Sequence, residues 1–91
     1  MKGTTLSAKP MQALRLGRKQ IIVCQIVDEN PVSFVGKRFL FHTEGGQRSI
    51  FTIEGVSTAS QFDKGICDFS YSGDEISPSQ IRDDSLIQEL L

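Results

Sequence analysis

The sequence predicts a β-rich α+β fold: two β-hairpins and one further strand in a small coiled sheet or partly open barrel, with a C-terminal α-helix. Three observations carry this. Apolar residues fall in short runs rich in Ile, Val and Phe that are punctuated by Gly, Pro and Asn, as strands are. Five of the six phenylalanines (Phe34, Phe39, Phe41, Phe51 and Phe69) lie in those runs and are core material. Only residues 77–91 change pattern, from strand-like alternation to a helix start signal.

Taken in order, residues 1–9 read as a flexible arm or the approach to the first strand. Met11–Leu16, Gly17-Arg18 and Lys19–Val27 then read as a hairpin. Gly17 supplies the positive φ that a two-residue type II′ loop needs first. That register sets Leu14 opposite Ile21 and Met11 opposite Cys24. A short helix over Pro10–Leu16 is the competing reading, because proline is tolerated in a first helical turn. Ile21-Ile22-Val23-Cys24 is apolar on both faces, which predicts a central strand.

Asp28-Glu29-Asn30-Pro31 is a loop signal. A second hairpin follows, with Val32–Val35 leading through Gly36 into Lys37–Thr43, then a turn, then Arg48–Val56. With Gly45-Gly46 as a two-residue loop, Phe41 faces Ile50, Leu40 faces Phe51 and Lys37 faces Glu54. Both faces of this ribbon are then apolar and need cover. Residues 57–65 are a connection, and Cys67, Phe69 and Tyr71 alternate with polar residues in a half-buried strand at or near an edge.

Ser77-Pro78-Ser79-Gln80 has the form of a capping box with proline at the first helical position, and Ile76 and Ile81 form a hydrophobic staple. The expected helix puts Leu86, Ile87, Leu90 and Leu91 on one apolar stripe. The expected core is Leu14, Ile21, Val23, Phe39, Phe41, Ile50, Phe51, Ile53, Phe69 and part of that stripe.

Composition bounds the function. Ninety-one residues make a single domain (1–91), small enough that a homodimer would be a gain in stability. There is no apolar run long enough to cross a membrane and no apolar segment after Met1 of the kind a secretory signal carries. With only two cysteines, Cys24 and Cys67, the expected setting is the cytoplasm, with both thiols reduced in the core. Net charge is −1, but residues 1–48 hold eight cations against three anions while residues 49–91 hold two against eight. Such halves either neutralise each other within the fold or mark a basic binding face with an acidic tail.

The equipment of an enzyme is missing. His42 is the one histidine, and no metal-ligand spacing surrounds it, so no metal or cofactor is expected. Cys67 stands beside Asp68, whose charge raises rather than lowers a thiol pKa. The glycines lack phosphate-loop spacing, and Asp74-Glu75 and Asp83-Asp84 read as solvated.

What remains is binding. The leading expectation is an accessory or inhibitor module, of the size class carried by phages and other mobile elements. It would contact another protein through Leu86, Ile87, Leu90 and Leu91 or through exposed sheet edges. The alternative is a small β-barrel that binds nucleic acid or an anionic small ligand through Arg15, Arg18, Lys19, Lys37 and Arg38. A sequence pI near 5.7 and the absence of tryptophan weigh against nucleic acid.

Overall fold

A computed structural model describes residues 5–26, 30–46, 48–57 and 60–90, with the side chain of Phe62 outside that set. Six antiparallel strands are present: β1 (Ser7–Leu16), β2 (Lys19–Gln25), β3 (Arg38–His42), β4 (Arg48–Val56), β5 (Ile66–Gly73) and β6 (Leu86–Glu89). They close into a barrel in the order β1-β2-β5-β4-β3-β6. Strands β3, β4 and β5 form a meander, and β6 returns to lie beside β3, which is a Greek-key connection.

Two expectations are overturned together. The barrel is closed rather than partly open, and the expected helix over 77–91 is replaced, among the described residues, by one 3₁₀ turn and the last strand, Leu86–Glu89. The start signal at Ser77 is real but short. Gln80 Oε1 accepts from the Ser77 N–H at 2.8 Å and from its hydroxyl at 3.0 Å, and a single 3₁₀ turn, Pro78–Gln80, follows. The Arg82 N–H then donates to Ser85 Oγ at 2.7 Å, and the Ser85 N–H returns to the Arg82 carbonyl at 3.0 Å. That local turn diverts the backbone from a helical ladder.

Beyond it β6 pairs with both β3 (Phe41 with Ile87) and β1 (Ala8 with Ile87), satisfying two strands that would otherwise present bare edges. The stripe 86, 87, 90 fits a period of 3.6, but a four-residue strand needs only Ile87 inward. Long-range pairing decides between the two.

The first hairpin forms as a two-residue turn with Gly17 at φ +62°, so Pro10–Leu16 is strand and not helix. Leu14 faces Ile21 as expected. Met11 does not face Cys24, because a bulge between Pro10 and Gln12 leaves Pro10 opposite Cys24. The bulge also changes which parity points inward, from Leu6, Ala8 and Pro10 before it to Ala13 after it.

The second hairpin is one residue out of the expected register. Phe39 faces Phe51, Leu40 faces Ile50, and Phe41 faces Ser49. The connection is longer than Gly45-Gly46, with the Gly46 N–H (φ +92°) donating to the Thr43 carbonyl at 3.1 Å. A one-residue slip reverses every side chain of a strand. Here it gathers Phe39, Phe41, Phe51 and Ile53 on the inner face and leaves Leu40 and Ile50 outside, so the ribbon needs no second cover.

Residues 31–34, expected to lead into a strand, form a 3₁₀ turn capped by Asn30, whose Oδ1 accepts from the Val32 N–H at 3.0 Å. The turn drives Phe34 into the barrel, where its ring lies 5.3 Å from Phe39 and 5.2 Å from Phe69. Phe39 continues to Phe51 at 6.1 Å, and Phe51 meets Tyr71 edge-on at 5.0 Å, so aromatic rings run through the interior.

Small inward residues on β1, β2 and β5 (Ala8, Ala13, Cys24 and Cys67) leave room for those rings. Cys24 and Cys67 face each other across β2 and β5 as free, fully buried thiols. The 74–85 connection contributes Ile76 and Ile81 to the core, and the Ile76 N–H donates to Tyr71 Oη at 3.0 Å.

Of the expected core, Phe39, Phe41, Phe51, Ile53 and Phe69 are buried. Ile50 is 47 % exposed, Leu14 and Val23 are half-buried, and Ile21 is covered but points outward. Strand β5 lies between β2 and β4 rather than at an edge.

Candidate docking face

Alternation decides what each strand shows to the outside. On β2, Ile22 and Cys24 point inward, so Ile21 and Val23 point outward. Across the first hairpin Ile21 faces Leu14, Val23 faces Gln12 and Leu16 faces Lys19, and on β5 the outward residues are Ile66, Asp68 and Ser70. With Met11 at the bulge, this sets an outer face that is largely apolar on β1 and β2 and mixed on β5, where Asp68 and Ser70 follow Ile66. Leu16 is 62 % exposed at its upper end and Met11 46 %.

Two open hollows flank β2. One, about 420 Å³, is bounded by Met11, Leu14, Val23, Ile66 and Asp68, and the other, about 440 Å³, by Leu16, Lys19, Ile21, Val56 and Ser70. Gln61, in the connection before β5, frames one side. Ser60 Oγ accepts from the Asp68 N–H at 2.8 Å, and Gln61 and Ile66 exchange backbone hydrogen bonds at 2.9 and 3.1 Å. Sequence reasoning assigned Leu14, Ile21 and Val23 to the interior. No sequence signal chooses between the two parities, because Ile21-Ile22-Val23-Cys24 is apolar at both, and closure of the barrel decides it.

The expected contact stripe does not exist as a unit. Ile87 is fully buried inside the barrel, Leu86 and Leu90 are half-buried, and Leu91 lies outside the described residues. Leu86 and Gln88 point outward beside His42 and Leu40, so Leu40, Ile50 and Leu86 form a smaller apolar patch across β4, β3 and β6. That patch is on the opposite side of the barrel from the β1-β2-β5 face.

The expected anion site is not gathered either. Arg15 is held by Glu75, Nη2 to Oε1 at 3.1 Å and Nε to Oε2 at 3.2 Å, a bidentate pair joining the basic and acidic halves of the chain. This pairing pushes the Arg15 pKa further up, through the hydrogen bond first and the charge second. Arg18 and Lys19 stand exposed at the hairpin tip, and among the described residues neither has an ion-pair or hydrogen-bond partner for its side chain. Lys37 and Arg38 enter β3, separated from them around the barrel by β5 and β4, while Arg18 and Lys19 line a polar groove together with Glu54, Ser70 and Ser72.

The acidic pairs are exposed yet anchored. Asp74 Oδ2 accepts from the Ile50 N–H at 3.0 Å, and Asp84 Oδ2 from the Glu44 N–H at 2.8 Å. His42 is half-buried at the end of β3 opposite Arg48, away from the two cysteines inside. Burial raises the Cys24 thiol pKa well above its ordinary range, with Cys67 and Asp68 adding to it, and raises Cys67 and Tyr71 as well. Thiols so shifted are poor nucleophiles.

Among the described residues no group of three or more His, Cys, Asp or Glu could hold a metal, and no helix is long and apolar enough to cross a membrane. No protein-family model, no curated protein and no solved structure matches the chain.

Proposed function

We propose that this protein is a non-enzymatic binding module that docks another protein on the outer face of β1, β2 and β5. The observation that carries the reading is an outward row with Leu16 and Met11 exposed, Leu14 and Val23 half-buried and Ile21 nearly covered among them, with a hollow on either side. Contiguous apolar surface with a polar rim is characteristic of protein contact sites. The accessory or inhibitor role is the functional class this favours, with the contact moved from the C-terminal residues to the first hairpin.

Nucleic-acid binding draws less support. Base stacking needs exposed aromatic faces, and the aromatic side chains among the described residues, Phe34, Phe39, Phe41, Phe51, Phe69 and Tyr71, are all buried. The cations are divided around the barrel, and Arg15 is already paired.

The test is a pull-down from the source lysate with the wild-type protein and Leu16→Asp, at 50 and 200 mM salt, with and without nuclease. One protein recovered with the wild type in every condition and lost with Leu16→Asp is the expected result. Recovery of nucleic acid alone, abolished by salt, would overturn the reading, because phosphate contacts weaken steeply over that range.

A further inference from the structure

The β1-β2 hairpin carries Lys9, Arg15, Arg18 and Lys19 and, from Thr5 to Ile26, no acidic residue at all. Glu75 neutralises Arg15. Arg18 and Lys19 have no such partner among the described residues, and they stand where the apolar face ends at Leu16. Gly17, at φ +62°, makes the tight turn that places them there.

Lys19 lines one hollow together with Leu16 and Ile21. The other hollow is bounded by Asp68. The face is therefore polarised: Arg18 and Lys19, which share a groove with the single carboxylate of Glu54, leave a net positive hairpin tip, and Asp68 sets negative charge toward the start of β5.

We infer that the partner presents an acidic amphipathic segment, with apolar side chains in the two hollows and carboxylates over Arg18 and Lys19. This rests on the protein-binding reading above and names the chemistry of its partner. A second copy of the chain is the competing occupant, because a two-fold axis through the face could set each hairpin tip against the other copy's Asp68, and self-association of the free protein is the outcome that reports it. A desolvated carboxylate beside Lys19 gains more than one in water, which gives the tip a role in choosing the partner as well as in steering it.

The experiment uses the full chain with methyl and amide labels and two synthetic peptides. Each has leucines at helical i, i+3, i+4 and i+7 spacing. One carries glutamates and the other lysines at the remaining positions. Expected are shifts of the Leu14, Leu16, Ile21 and Val23 methyls with the glutamate peptide. Its affinity should drop at least tenfold in the double variant Arg18→Glu, Lys19→Glu, while the lysine peptide should gain.

Both replaced side chains are exposed, and a thermal melt of the variant confirms folding. Equal binding of the two peptides, or indifference to the charge reversal, would overturn the inference. The apolar face would still stand if Leu16→Asp abolished binding. Shifts confined to Leu40 and Ile50, or no shifts at millimolar peptide, would also overturn it. So would self-association of the free protein through the same methyls.

Discussion

Ile87 and Leu90 are three residues apart and chemically alike, yet the barrel treats them differently. Ile87 is fully enclosed between Phe41 and Ala8, whereas Leu90 stays half-exposed, its N–H donating to the Arg38 carbonyl at 2.8 Å. Ile87→Ala is expected to destabilise by about 2–4 kcal/mol, and Leu90→Ala by about 1 kcal/mol or less, in urea denaturation. An interface helix would show the two costs equal and small.

Gly73 is a second decisive position. Its φ is +116°, and a Cβ there would lie 2.9 Å from the Ile50 carbonyl oxygen and 3.0 Å from Phe51 Cα. Gly73→Ala should cost about 2 kcal/mol or more, because neither backbone neighbour can yield easily.

Titration gives a third expectation. Cys24 and Tyr71 hold their protons more tightly folded than unfolded, chiefly through burial. Above the ordinary thiol pKa, near 8.5, the unfolded chain releases protons that the folded chain keeps. Stability should be level below that value and fall as pH rises through it toward the raised pKa values. Cys24→Ala should flatten the first part of that fall in urea melts taken between about pH 8 and 10. An unchanged slope would contradict the burial of this thiol.

At the scale of elements, the sequence was legible wherever local chemistry decides. Gly17-Arg18 specified its hairpin and the Leu14–Ile21 pairing, and the alternation of Cys67, Phe69 and Tyr71 specified an inward row on β5. It was misleading wherever a distant partner decides. The Gly45-Gly46 pair suggested the shortest loop, but burial of Phe39, Phe41, Phe51 and Ile53 together requires the next register.

The residues from Ser77 onward carry a true helix start, yet it ends after one turn, because Ser85 bonds back to Arg82 and the unpaired flanks of β1 and β3 recruit residues 86–89. Phe34 was recognised as core material, but not as the tail of a 3₁₀ turn that plugs the barrel. Phe34→Ala should cost about 3–5 kcal/mol, since it removes the ring stacked on both Phe39 and Phe69.

For the whole molecule, closure has a functional consequence. With β6 between β3 and β1, the sheet edges that could have served for strand addition at that seam are paired, which leaves the outer faces to the proposed contact. Two such faces carry apolar side chains, on opposite sides of the barrel. The β1-β2-β5 face has two hollows and ends in the hairpin tip, where Arg18 and Lys19 make no ion pair among the described residues. None of the site was legible as such in the sequence. Its leucines and isoleucines look like core until closure and the bulge at Met11 fix which parity points out.

The most direct test of the docking face is photo-crosslinking in the source cells, with p-benzoylphenylalanine replacing Leu16 in one variant and Ile50 in another. Both positions are exposed, on opposite sides of the barrel. The account predicts a nuclease-insensitive protein adduct from position 16 and none of comparable yield from position 50. An adduct from position 50 alone, or crosslinks to nucleic acid from position 16, would contradict it.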